Sequence, residues 1–220
     1  MKAMILAAGR GTRLAPLTDT LPKPLVEIGG ETLIERHLRR LAAAGYREVV
    51  INLAHLGHMI AARLGDGSAY GLRIAWSHEP DGPLETGGGI ARALPLLGTA
   101  PFLVVNADVW TDCPFAPPRL GAGLRASLVL VANPAHHPRG DFTPQDGHAA
   151  RLASNTHTYA GIGVYDPAVF AGAADTHFPL APLLFALAAR DELGCTVHEG
   201  RWFDIGTLER LAAARAAVGA

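Results

Sequence analysis

Lysine is nearly missing from this chain of 220 residues: only Lys2 and Lys23 occur, and every other basic residue is an arginine. A lysine inside a loop is therefore conspicuous. Cysteine is scarce too. Cys113 and Cys195 stand alone, without metal-ligand spacing, which excludes a disulfide framework of the secreted kind and points to free thiols in a reducing compartment. No apolar run approaches the roughly eighteen residues of a membrane span. The apolar start after Met1-Lys2 stops at Gly9-Arg10, short of a signal-peptide core. Excess charge is absent as well: nineteen Lys plus Arg meet twenty Asp plus Glu, so neither nucleic acid nor a membrane surface finds the basic patch it would need. With no internal repeats and no low-complexity linkers, the expectation is a soluble, cytoplasmic α/β protein with one domain over residues 1–220.

What is present begins with Leu6-Ala7-Ala8-Gly9-Arg10-Gly11-Thr12-Arg13-Leu14. An apolar run, Ala3 to Ala8, reads as a buried strand and breaks into two glycines, a hydroxyl and two arginines. Glycines let backbone N–H groups close around phosphate oxygens, and arginines answer the charge. The pattern is neither a P-loop nor a dinucleotide fingerprint, because Leu14 stands where a third glycine would be needed. Downstream, the prolines of Leu21-Pro22-Lys23-Pro24-Leu25 predict an extended, stiff segment that presents Lys23.

An amphipathic helix from Leu33 to Gly45 and a strand over Glu48 to Asn52 complete a strand, helix, strand unit, the right-handed crossover of a parallel sheet. His58 to Leu64 reads as a helix and Leu72 to Ser77 as a strand. The turn Glu79-Pro80-Asp81-Gly82-Pro83 runs through Leu84-Glu85-Thr86 into Gly87-Gly88-Gly89, with a helix expected from Ile90 to Leu97. A glycine-rich helix start offers free N–H groups to an anion or a base edge. Phe102 to Val105 is the clearest buried strand, and its carboxyl end delivers Asn106-Ala107-Asp108, where open parallel sheets bind ligands. Ser127 to Ala132 and Thr158 to Tyr165 read as strands, the latter with Gly161 and Gly163 open to close backbone approach. The intervening His136-His137 pair lacks a third ligand at sensible spacing. After a helix over Leu180 to Arg190 and a short strand over Thr196 to Glu199, Trp202-Phe203-Asp204-Ile205-Gly206-Thr207 sets a lone carboxylate among aromatics. Thr207 is placed to cap a last helix over Leu208 to Ala217.

In this order, Leu6 to Leu14, Pro16-Leu17-Thr18, Pro22-Lys23-Pro24-Leu25, Leu84 to Gly88, Asn106-Ala107-Asp108 and Trp202 to Thr207 resemble the motifs of the sugar-1-phosphate nucleotidyltransferases, over almost the whole length. The resemblance implies a Rossmann-like α/β fold, three-layer α/β/α, with a mostly parallel mixed sheet flanked by helices. It implies in-line attack by a sugar 1-phosphate on the α-phosphorus of a nucleoside triphosphate, chemistry that needs positioning and charge neutralisation rather than a covalent nucleophile. Residue by residue, it implies that Ala8, Gly9, Gly11, Thr12, Arg13 and Lys23 hold the nucleotide, with Arg13 and Lys23 catalytic. Glu79, Thr86 and Gly87 would border the base, and Asn106, Gly140, Asp141 and Gly161 the sugar. Asp108 and Asp204 match the family pair that holds Mg²⁺. Within the family, the Glu85 to Gly89 segment, His136 to Phe142 and Trp202 to Thr207 look most like members that use UTP and N-acetylmuramate 1-phosphate; GTP or dTTP with mannose or glucose 1-phosphate is the alternative. A monomer or small homo-oligomer is expected.

Two departures stand out. Many relatives carry a lysine ahead of the sugar-binding strand that meets the sugar phosphate, but Gly147 to Tyr159 contains none. Arg139 or Arg201 is the expected substitute, with Arg201 also the expected partner of an acidic sugar. Glu79 stands where many relatives have glutamine. Two rival readings remain at this stage. A nucleotide-sugar glycosyltransferase would not need the glycine loop after the first strand. A silent regulatory homologue would be expected to lose some of Arg13, Lys23, Asp108 and Asp204.

Overall fold

The computed structural model describes residues 1–115, 117, 119–173 and 176–219. Its elements run β1 (Lys2–Leu6), α1 (Leu17–Thr20), β2 (Glu27–Ile28), β3 (Glu31–Thr32), α2 (Leu33–Ala43), β4 (Glu48–Leu53), α3 (Gly57–Leu64), β5 (Arg73–His78) and α4 (Glu85–Leu97). Then follow β6 (Phe102–Asn106), β7 (Val109–Thr111), β8 (Ala126–Ala132), β9 (Thr143–Gln145), β10 (His148–Ala150), β11 (His157–Tyr165), α5 (Ala181–Ala188), β12 (Leu193–Val197), β13 (Trp202–Asp204) and α6 (Leu208–Gly219).

Nine strands form one mixed sheet in the order β5-β4-β1-β6-β11-β8-β12-β10-β9. It is parallel from β5 to β6, and β11 enters antiparallel between β6 and β8. Side chains alternate across a strand, so the apolar run of β1 feeds both faces. Ala3 and Ile5 pack with Ile34, Leu38, Leu41 and Ile60 of α2 and α3, while Met4 packs with Ile90, Ala93 and Leu97 of α4. The result is the three-layer α/β/α arrangement, with helices on both faces of the sheet.

A third, smaller core explains how distant motifs meet. Leu14, Val26, Ile28, Leu33, Trp110, Ile205 and Leu211 are all buried together. They bring the end of the glycine loop, the segment after Lys23, β7 and the β13–α6 junction into one cluster. Strand β13 pairs antiparallel with β7, and Asp204 stands opposite Val109. The Ile205 N–H donates to the Asp108 carbonyl at 2.8 Å, so Asp108 and Asp204, 96 positions apart in sequence, become neighbours.

Three expected elements differ. Helix α4 begins at Glu85, not Ile90, and its glycines serve packing. A Cβ on Gly87 would stand 2.4 Å from Phe178, on Gly88 2.0 Å from the Thr176 carbonyl, and on Gly89 2.8 Å from Asn52. The helical cost of the triple glycine is offset by that close approach. The segment around Lys23 is not fully extended either: Lys23–Leu25 make a single 3-10 turn with Pro24 inside its first turn, where the missing N–H costs nothing. Strand β12 runs over Leu193–Val197, three residues before the expected start. Gly194, which argues against a strand by propensity, sits where Leu124 leaves no room for a Cβ, at 2.6 Å.

Candidate active site

The carboxyl ends of β1, β4 and β6 open onto a cleft of about 200 Å³, lined among others by Ala8, Gly9, Gly11, Lys23, Asn52, Glu79, Thr86, Asn106 and Asp108. A second hollow of about 220 Å³ shares Thr86 and Asn106 with it and adds Asp141, Phe142, Tyr159 and the start of α5. Crevices at the carboxyl ends of such strands are where open α/β sheets bind ligands.

On the β1 side, Gly11 sits at φ +66°, a conformation that glycine adopts without strain. Its carbonyl accepts from the Thr18 hydroxyl at 2.9 Å and from the Leu14 N–H at 2.8 Å, which curls the loop. A Cβ on Gly9 would meet nothing within 4 Å. Thr12 and Arg13 are exposed beside it. Across the loop, Lys23 donates from Nζ to Asp108 Oδ2 at 2.5 Å. The ammonium is largely buried and the carboxylate a third exposed, at 11% and 35%.

Beneath these groups lies a buried relay. The Ala7 N–H, at the end of β1, donates to Asn52 Oδ1 at 2.7 Å. Asn52 Nδ2 donates to Glu79 Oε1 at 2.7 Å, and Glu79 Oε2 accepts from the Leu84 N–H at 2.8 Å. The relay ties together the ends of β1, β4 and β5 and the turn before α4. Both Glu79 oxygens are therefore engaged within the protein, and Glu79 shapes the cleft wall by holding Asn52 and Leu84. Asn52 escaped sequence reasoning; the available signal was a polar residue inside the apolar run of β4.

On the far side the carboxylates are paired with an arginine and two histidines. Asp204 Oδ2 accepts from Arg210 Nη1, and His136 Nε2 lies 3.2 Å from Asp204 Oδ1. Arg210 Nη1 also lies 2.7 Å from His136 Nε2. Asp141 Oδ1 lies 3.0 Å from His137 Nε2, and Asp141 Oδ2 accepts the Tyr159 N–H at 2.8 Å. Adjacent histidines of one loop thus reach two carboxylates. Gly161, at φ +74°, packs against Asn106, where a Cβ would stand 2.8 Å from Nδ2; Gly140 is fitted against Asn133 in the same way. The Trp202 indole N–H donates to the Ala160 carbonyl at 2.9 Å.

Of the predicted site residues, Thr12, Arg13, Gly87, Gly140, Gly161, Arg201 and Asp204 line neither hollow, and two of them are turned to other partners. Arg201 extends over the Trp110 ring, 5.1 Å from its centroid, and pairs with Asp112 at 3.5 Å, so cation–π attraction and a carboxylate hold it away. Gly87 is buried against Phe178. Arg139, the other expected substitute for the missing lysine, is solvent-exposed. Arg210, unanticipated because Leu208-Glu209-Arg210-Leu211 reads as an ordinary helix face, is the arginine that meets Asp204.

Burial sets the titration of several groups. His37 is driven down to about 3 by burial, with Arg40 and Arg36 reinforcing the shift, and stays neutral. Burial raises the thiols of Cys113 and Cys195, which leaves neither a ready nucleophile. Asp108 and Asp204 offer hard oxygens. Among the described residues no group of three or more His, Cys, Asp or Glu side chains could hold an ion by itself. The two carboxylates suit a hard cation that takes its remaining ligands from phosphate and water.

A family model described as nucleotidyl transferase matches residues 2–118. N-acetylmuramate alpha-1-phosphate uridylyltransferase of Neisseria meningitidis serogroup B is 50% identical, covering 100% of this chain and 99% of that protein. The protein of the same name from Caulobacter vibrioides is 35% identical, covering 97% and 95%. Mannose-1-phosphate guanylyltransferase catalytic subunit beta of Dictyostelium discoideum is 30% identical over 94% of this chain, which spans 61% of that subunit. A Bacillus anthracis structure described as a glucose-1-phosphate thymidylyltransferase, solved with sucrose, superposes with a TM-score of 0.86 at 20% identity, covering 99% of this chain and 95% of that one. The shared fold and the relatives matched from end to end place this chain in the nucleotidyl transferase family of enzymes.

Proposed function

We propose that this cleft transfers a uridylyl group from UTP to N-acetylmuramate α-1-phosphate, releasing pyrophosphate. The observation that carries the reading is the Lys23–Asp108 pair at 2.5 Å. It sets a cation and a carboxylate between the glycine loop and Asn106, where a triphosphate and a sugar phosphate would meet. The two relatives matched at full length support the choice of substrates.

In the reaction, an oxygen of the sugar phosphate bonds to the α-phosphorus of UTP, and the bond from that phosphorus to the bridging oxygen of pyrophosphate breaks. The loop from Gly9 to Arg13 takes the β- and γ-phosphates, with Arg13 at the rim stabilising charge on the departing pyrophosphate. Lys23 meets the phosphates at the reacting centre. The uracil lies against Ala8, with the Glu79 relay fixing the wall beside it and Thr86 at its edge. The sugar lies toward Asn106 and Asp141, with Gly161 and Gly140 letting Asn106 and Asn133 pack in place behind them. Asp108 and Asp204 would hold Mg²⁺, which supplies neutralisation of phosphate charge.

The test is pyrophosphate release with UTP, dTTP, GTP and CTP, each crossed with N-acetylmuramate, glucosamine, glucose and mannose 1-phosphates. The highest kcat/KM is expected for UTP with N-acetylmuramate α-1-phosphate, dependent on Mg²⁺. Preference for GTP with mannose 1-phosphate would overturn the substrate assignment and leave the reaction class standing.

A further inference from the structure

Arg210 pairs with Asp204 as Lys23 pairs with Asp108, and it is placed there by its surroundings. Its Nη1 group donates to Asp204 Oδ2 and lies 2.7 Å from His136 Nε2, so a neutral imidazole can accept its second hydrogen. The guanidinium is mostly covered, with the side chain 18% exposed. It folds over Gly206, where a Cβ would stand 1.9 Å from Nη2; the glycine after Asp204 and Ile205 clears room for it. Among the described residues the Nη2 and Nε donors make no hydrogen bond.

We propose that Arg210 is the sugar-phosphate cation of this enzyme, its free donors meeting the 1-phosphate beside Asp204. This rests on the proposed function. A phosphate entering beside two carboxylates needs positive charge on both flanks, and a guanidinium offers paired donors that match phosphate oxygens. Lys23 supplies one flank through its contact with Asp108. Arg201 is held over Trp110, and Arg139 is an exposed side chain that no contact fixes beside Asp204 among the described residues. His136 and Asp204 hold Arg210 ready, and Lys2, the remaining lysine, bonds the Leu96 carbonyl instead.

The test is calorimetric titration of N-acetylmuramate α-1-phosphate into the unaltered protein, Arg210→Gln and Arg210→Lys, alongside steady-state kinetics with each substrate varied. For Arg210→Gln, Kd and KM for the sugar phosphate should rise about 10- to 100-fold, as for a lost charge-assisted hydrogen bond. KM for UTP and the Mg²⁺ concentration for half activity should stay within about threefold. Arg210→Lys should recover part of the loss, having charge without the planar fork. Gly206→Ala, which displaces the guanidinium and leaves Asp204 in place, should weaken the same affinity. Sugar-phosphate affinity unchanged in Arg210→Gln would overturn the assignment. So would a shift in UTP and Mg²⁺ dependence of equal size, which would mean that Arg210 acts only through Asp204. An unaltered protein that binds the sugar phosphate without turnover would count against the proposed reaction while leaving Arg210 testable by Kd; one that neither binds nor turns it over would remove both.

Discussion

In the half of the cleft built by β1, β4, β5 and α4, the polar groups are buried and bonded to one another: Asn52 and Glu79 are 2% and 3% exposed. In the half built by β7, β11, β13 and the loop of residues 133–142, they are partly exposed pairs, Asp204 with Arg210 and Asp141 with His137. A buried relay fixes its loops, since breaking it strands a desolvated polar group. Exposed ion pairs contribute little to stability and can exchange partners. One half is thus built to hold a single shape, and the other has internal pairs that a ligand can replace. The family model matches residues 2–118, which hold the whole of β1, β4, β5 and α4.

The sharpest break falls where the halves meet. Asp108→Ala should lower kcat by about a hundredfold to a thousandfold and lower the melting temperature only modestly, since it leaves the 11%-exposed Lys23 ammonium without its partner; pyrophosphate release and a melting curve read both. Gly88→Ala should do the opposite. A methyl group 2.0 Å from the Thr176 carbonyl has nowhere to go, and stability should fall by about 3 kcal/mol or more in denaturant titration.

Acid sharpens the contrast between buried and exposed histidines. His37 is held down to about 3 when folded, against about 6.5 in an unfolded chain. Its folded pKa is depressed, so the unfolded state binds the extra proton, and stability falls as pH drops below about 6.5. Between pH 7.5 and 5 this one group should cost about 2 kcal/mol, and His37→Phe should flatten that part of the stability curve. The smallest effect belongs to a surface pair remote from the cleft. Arg125 pairs with Asp166 at 2.9 Å with its side chain 52% exposed; Arg125→Gln should change stability by less than about 1 kcal/mol.

Much of the rigid half was legible in the sequence because its signals are local. The apolar runs of β1 and β6 announce buried strands, the prolines around Lys23 restrict its loop, and Asp108 follows directly on a strand end. Thr207 caps α6 as expected, accepting the Arg210 N–H at 3.3 Å. What was not legible depends on contacts between distant segments. The glycines of α4 look like a loop until Phe178, Thr176 and Asn52 are placed against them. Arg201 and Arg210 are indistinguishable as sequence; Trp110 and Asp112 claim the first, while Asp204 and His136 claim the second. Asn52 gives no hint that its amide joins three strand ends.

The division of labour itself is tested by one pair of variants measured side by side. Glu79→Gln replaces an acceptor that serves Asn52 and Leu84, and Asp141→Ala removes the carboxylate that serves His137 and Tyr159. With both substrates varied for each variant, Glu79→Gln should raise KM for UTP about tenfold and Asp141→Ala should raise KM for the sugar 1-phosphate by a similar factor, each leaving the other KM within about threefold. Equal shifts in both constants for either variant would contradict the account.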